Sequence, residues 1–140
     1  DRWGRKRLML IGSIGYIISL TAVAAAFYSN HLGGMIVPSL LFLFIASHAV
    51  GQGAVIWVLI SEVFPNSVRA YGQSLGASTH WIMAAIITTV FPILAVKIGP
   101  APIFAFFAFM MVLQLLWVIF IMPETKGKSL EELEARLVKK

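Results

Sequence analysis

Four long apolar runs, almost empty of charge, constrain this chain more than any other feature. Between Leu8 and Pro123 only Glu62, Arg69 and Lys97 carry a formal charge. The runs are Leu8–Tyr28, Met35–Ile60, Gly72–Val96 and Pro102–Met122. At about 1.5 Å of rise per residue, a run of some 20 residues crosses the roughly 30 Å hydrocarbon core of a bilayer. Hydrocarbon offers the backbone no water partners, so each run is predicted to be helical. Of the whole chain 59% is hydrophobic and 12% charged. A soluble domain carries about twice that charge and has too little interior for so much apolar surface. The predicted fold class is an all-α membrane protein with four transmembrane helices.

Lysine and arginine set the orientation. Arg2, Arg5, Lys6 and Arg7 precede the first span, and Arg69 lies between the second and third. Lys126, Lys128, Arg136, Lys139 and Lys140 follow the fourth, and Lys97 stands alone on the other side. Basic residues stay on the cytoplasmic face. Residues 1–7, 61–71 and 123–140 are therefore expected in the cytoplasm, with spans at 8–28, 35–60, 72–96 and 102–122. The net charge of +5 sits in flanking clusters and does not point to nucleic acid. There is no cysteine, hence no disulfide or thiolate site. The first run is too long for a signal peptide and similar runs follow it. The chain is expected to be a piece of a longer membrane protein.

The stretch 61–71 holds Glu62 and Arg69 with Pro65 between them. Pro65 cannot continue a helix, so a tight cytoplasmic turn is predicted there. Charges at such a turn are commonly plain interfacial groups, and exposed ion pairs contribute little.

Three segments add a resemblance. The chain opens "DRWGRKRL", its middle turn reads "GQGAVIWVLISEVFPNSVRAYGQS", and its tail begins "PETKGKSLEELE". This ordered set resembles the sugar porter family of the major facilitator superfamily and covers essentially the whole chain. The resemblance implies the last four helices, nine to twelve, of a twelve-helix transporter. It also implies a cytoplasmic charge network, closed when the cavity faces outward, made here by Arg5, Lys6, Glu62, Arg69 and Glu124, with Asp1 a weaker member. Several partly buried, charge-assisted bonds suit a two-state gate.

The same resemblance places a sugar near Trp57, His80 and Trp81. His80 departs from the family's usual amide. His48 and Gln52, one turn apart on one face, join the candidate list. Polar groups at membrane depth face protein or water rather than lipid, and an indole stacks on a sugar ring while its N–H reaches a hydroxyl. The alternatives stay open: Trp57 as an interfacial anchor, and His48, Gln52, His80 and Trp81 as helix-packing groups. Gly51 and Gly53 precede Trp57 where relatives carry a proline-broken helix. Ala54 and Ile56 stand at the proline positions, so the helix bends less, or bends through glycine alone. Pro92 is expected to kink the third span. Gly72 and Gly76 form a close-packing pair. In the tail, Ser129 and Glu132 form a capping box, and Leu130, Leu133 and Leu137 an amphipathic stripe.

The function implied is sugar translocation by alternating access, at the plasma membrane, with no catalysis and no cofactor. Partners are the sugar, the bilayer, the missing N-terminal helices and, in coupled relatives, a proton. Two other readings are a structural four-helix subunit and a haem-binding redox subunit held by His48 and His80. Glu62 is the only acid among the spans and their loops, too little for an enzyme active site.

Overall fold

The computed structural model describes residues 4–127. Among these the order is α1 (Arg5–Tyr28), α2 (Ile36–Val50), α3 (Gln52–Val63), α4 (Arg69–Ile98) and α5 (Pro100–Phe120). Helices α2 and α3 are two halves of one apolar stretch, Ile36–Val63, so four stretches are long and apolar enough to cross a membrane. Asp1 and the capping box and leucine stripe of the tail lie outside the described residues.

The helix ends follow local chemistry. Gly4 holds φ 77° just before α1, a conformation that suits glycine. At the far end, Ser29 closes α1: its N–H donates to the Ala25 carbonyl at 2.9 Å and its hydroxyl to the same oxygen at 2.8 Å. Phe64 is extended (φ −91°, ψ 134°), as the residue before a proline prefers. The Val68 N–H then donates to the Pro65 carbonyl at 3.1 Å, and α4 starts at Arg69. This is the tight turn that Pro65 predicts. Helix α4 runs without interruption through Pro92 to Ile98. Pro100 opens α5, where its missing N–H has no helical partner to lose.

The second span breaks at Gly51 (φ −98°, ψ −96°), although its proline, Pro38, stands at the far end of α2 and none stands at the break. The break is therefore made by glycine. Its cause lies in α1: a Cβ on Gly12 would sit 2.7 Å from the Gly51 Cα, and a Cβ on Gly51 would sit 2.7 Å from the Gly12 Cα. Backbone meets backbone at this crossing, and only two glycines allow it.

Helix α1 is the hub of the bundle, packed against α5 and both halves of the second span. Met9, Val55, Leu59, Val118 and Met122 form one core near the helix ends that carry Arg5 and Glu62, and Tyr16, Leu20 and Ala108 a second. Helix α4 is joined most loosely. Gly72 and Gly76 admit the Phe64 ring and the Ile60 side chain, and Gly72 is its one buried residue. The gap left between α3, α4 and α5 is lined by Gln52, Trp57, His80 and Gln114.

Candidate functional site

Two groups of side chains stand out, one at the helix ends and one within the spans. At the ends, Glu62 closes α3 and uses both carboxylate oxygens. Oε1 accepts from the Arg5 guanidinium at 2.6 Å, and Oε2 accepts from the Thr125 hydroxyl at 2.6 Å. Thr125 is buried, and the Arg5 and Glu62 side chains are mostly so, which strengthens a charge-assisted bond.

Glu124 does something the sequence does not suggest. Its carboxylate accepts backbone N–H groups: Arg5 at 3.1 Å, Lys6 at 3.2 Å and Lys126 at 3.1 Å. The start of α1 has N–H groups without helical partners, and a carboxylate there also answers the helix dipole. Partial burial pushes the Glu124 carboxyl up, but the N–H groups of Lys126, Arg5, Lys6 and Thr125 outweigh it and hold it below the ordinary value. The Lys6 ammonium reaches the other way and donates to the Ile119 carbonyl at 2.8 Å, at the end of α5.

Arg5, Lys6, Glu62 and Glu124 thus come together as one clasp over the ends of α1, α3 and α5. Arg69 does not join it. Both Glu62 oxygens are already taken, and the Nε and one terminal nitrogen of Arg69 are buried without a hydrogen-bond partner among the described residues. Arg69 is also the first residue of α4, where the helix dipole disfavours a cation. Thr125 was missed from the sequence. A buried hydroxyl next to a motif glutamate is the signal that marks it.

Within the spans, a cleft of about 350 Å³ is lined by His48, Gln52, Trp57 and His80, with Gln114 and Trp117 from α5. Gly53 lies in its wall. The His80 ring stands edge-on to two indoles: Trp57 at 5.3 Å and 74°, and Trp81 at 5.2 Å and 80°. Trp81 is 66% exposed and does not line the cleft. Four of the five residues expected to meet a sugar therefore share one space, and Trp81 touches it only through His80.

A buried hydroxyl anchors the polar side of this cleft. Ser13 Oγ donates to the Met9 carbonyl at 2.7 Å and accepts from the amides of Gln52 (3.4 Å) and Gln114 (3.2 Å). Its capacity is fully used, and three helices are tied by it. The Gln52 carbonyl oxygen is buried without a hydrogen-bond partner among the described residues and lies against Gly12. A second cavity, also about 350 Å³, adjoins through Gln52 and Gln114 and is otherwise lined mainly by aromatic and aliphatic groups. The cleft holds donors, acceptors and indole faces but no carboxylate, lysine or arginine. That set suits a neutral polyhydroxylated ligand, whose hydroxyls donate and accept and whose C–H faces stack on rings.

Comparison with known proteins gives the family. The family model described as "Sugar (and other) transporter" matches residues 1–137. The D-xylose-proton symporter of Escherichia coli (strain K12) is 35% identical over 141 residues, covering 96% of this chain and 28% of that protein. The facilitated trehalose transporter Tret1 of Bombyx mori is 35% identical over 143 residues, covering 98% of this chain and 28% of that protein. Among solved structures, the inward open conformation of the xylose transporter XylE from E. coli superposes with a TM-score of 0.90 at 33% identity, covering 97% of this chain and 30% of that one. The chain spans less than a third of the length of these relatives.

Proposed function

The chain belongs to the sugar (and other) transporter family, and from that premise we propose that it supplies four membrane helices of a transporter that carries a sugar by alternating access. The observation that carries the reading is the cleft: His48, Gln52, Trp57 and His80 line it together, beside the break between α2 and α3. Interrupted helices recur at transporter binding sites, where irregular backbone faces a cavity instead of lipid. Family membership favours transport over the structural-subunit and haem-binding alternatives.

The clasp of Arg5, Glu62, Glu124 and Thr125 keeps the ends of α1, α3 and α5 moving as one block. Arg69, unsatisfied within the block, is the cation left to meet a group on the other half of the transporter when the cytoplasmic side closes. The finer setting is a plasma-membrane protein whose segments 1–7, 61–71 and 123–140 face the cytoplasm. Its partners are the bilayer and the N-terminal helices of the same protein. A similar proton symporter and a similar facilitator leave proton coupling to be settled by the assay.

The test is uptake of radiolabelled D-xylose, D-glucose and trehalose by the full-length protein in proteoliposomes, with and without a proton gradient. Saturable uptake of at least one sugar is expected. Neither uptake nor binding of any of them would reject the reading.

A further inference from the structure

Tyr16 lies on α1, 5% exposed, its ring against Phe44 at 4.9 Å. Its hydroxyl meets Nδ1 of His48. Among the described residues the hydroxyl has no other hydrogen-bond partner. An O–H buried away from water is costly unless it donates, so Tyr16 donates and Nδ1 accepts. A neutral imidazole that accepts at one nitrogen carries its proton on the other. His48 therefore presents an Nε2–H donor.

That nitrogen sits at the cleft wall. A Cβ built on Gly53 would come within 3.2 Å of both Cδ2 and Nε2 of His48. Gly53 lines the same cleft, and its missing side chain leaves room for the imidazole edge. The glycine expected to give flexibility here makes space for a ring.

We infer that Tyr16 is a positioning residue that fixes the His48 tautomer, so that the cleft reads one ligand hydroxyl through its oxygen, as an acceptor. The inference rests on the sugar-transport reading. It assigns a recognition role to α1 through a residue that lies outside the lining of the cleft.

A fluorine on a sugar can accept a hydrogen bond and cannot donate one. A deoxy position can do neither. The experiment uses the full-length protein in proteoliposomes, radiolabelled D-glucose and D-xylose as probes, and ring-position series of deoxy- and deoxyfluoro-glucose as competitors. In the unmodified protein, one ring position should tolerate fluorine and lose about three- to tenfold in affinity on removal of oxygen, the scale of one hydrogen bond. Tyr16→Phe should erase most of that difference and raise KM about threefold, with the maximal rate held within about twofold. His48→Gln, whose amide nitrogen overlays Nε2, should keep the fluorine tolerance and become insensitive to Tyr16→Phe. His48→Asn, which places its amide nearer Nδ1, should lose it. A difference unchanged by Tyr16→Phe or kept by His48→Asn would overturn the assignment, as would no ring position showing one. If the unmodified protein binds neither probe, the transport reading falls and this assignment with it. Should Tyr16→Phe fail to fold, the two His48 variants still decide the matter.

Discussion

Glu124, beyond the last helix, holds the backbone N–H of Arg5 at the start of the first, at 3.1 Å. The two ends of the described chain are thus joined by a carboxylate that caps the first helix. The Glu124 carboxyl is held below its ordinary value of 4.5. A depressed carboxyl stabilises the fold above the ordinary value and loses that contribution as pH falls through the lowered one. Thermal unfolding of the full-length protein in detergent should therefore show a stability component that persists at pH 4.5 and disappears below it. Glu124→Gln should remove that component and cost about 1 kcal/mol at neutral pH.

Glu62 bonds Arg5 and Thr125 through separate oxygens, so the two bonds share one carboxylate and should couple. Thr125→Val should cost about 1 kcal/mol and Arg5→Met about 2 kcal/mol, the larger loss reflecting the charged donor. In a Glu62→Gln background both losses should shrink. A double-mutant cycle on unfolding free energies checks this.

Arg69 should behave in the opposite way. Its Nε and one terminal nitrogen are buried without hydrogen-bond partners among the described residues, so Arg69→Met should leave unfolding stability unchanged within about 0.5 kcal/mol or raise it. In the full-length transporter the same substitution should shift the population toward inward-facing states. Spin-label distances across the cytoplasmic gate report that shift.

The crossing of Gly12 and Gly51 has no slack. A methyl on either glycine meets the opposing Cα at 2.7 Å, and neither backbone can rotate away as a side chain would. Gly12→Ala and Gly51→Ala should each destabilise by about 1–3 kcal/mol, the range of an overpacked core. Both should slow transport more than Gly33→Ala, a position with open space around it.

The spans were legible because a charge in hydrocarbon is expensive, so their limits are written wherever lysine, arginine and glutamate resume. Residues whose role depends on partners far along the chain were less so. Glu62 and Arg69 are close in sequence and both are expected in one charge network, yet Glu62 is taken by Arg5, 57 positions away. The break at Gly51 could not be decided locally, since Ala54 and Ile56 replace the prolines; the Gly12 backbone opposite decides it. Ser13, Tyr16 and Gln114 carry no signal in the sequence, and only the rotation of α1 and α5 about their axes brings them to Gln52 and His48. Trp81 errs the other way. It is next to His80 in sequence, but one helical step of about 100° turns it out of the cleft.

The most direct measurement is sugar affinity in the full-length protein with and without the Trp57 indole. Isothermal titration with the best-transported sugar should show Trp57→Ala weakening binding about tenfold, from lost ring stacking and one lost donor, while Trp81→Ala changes it less. Unchanged affinity for Trp57→Ala, in a protein that still folds and still binds, would contradict the assignment of this cleft as the sugar site.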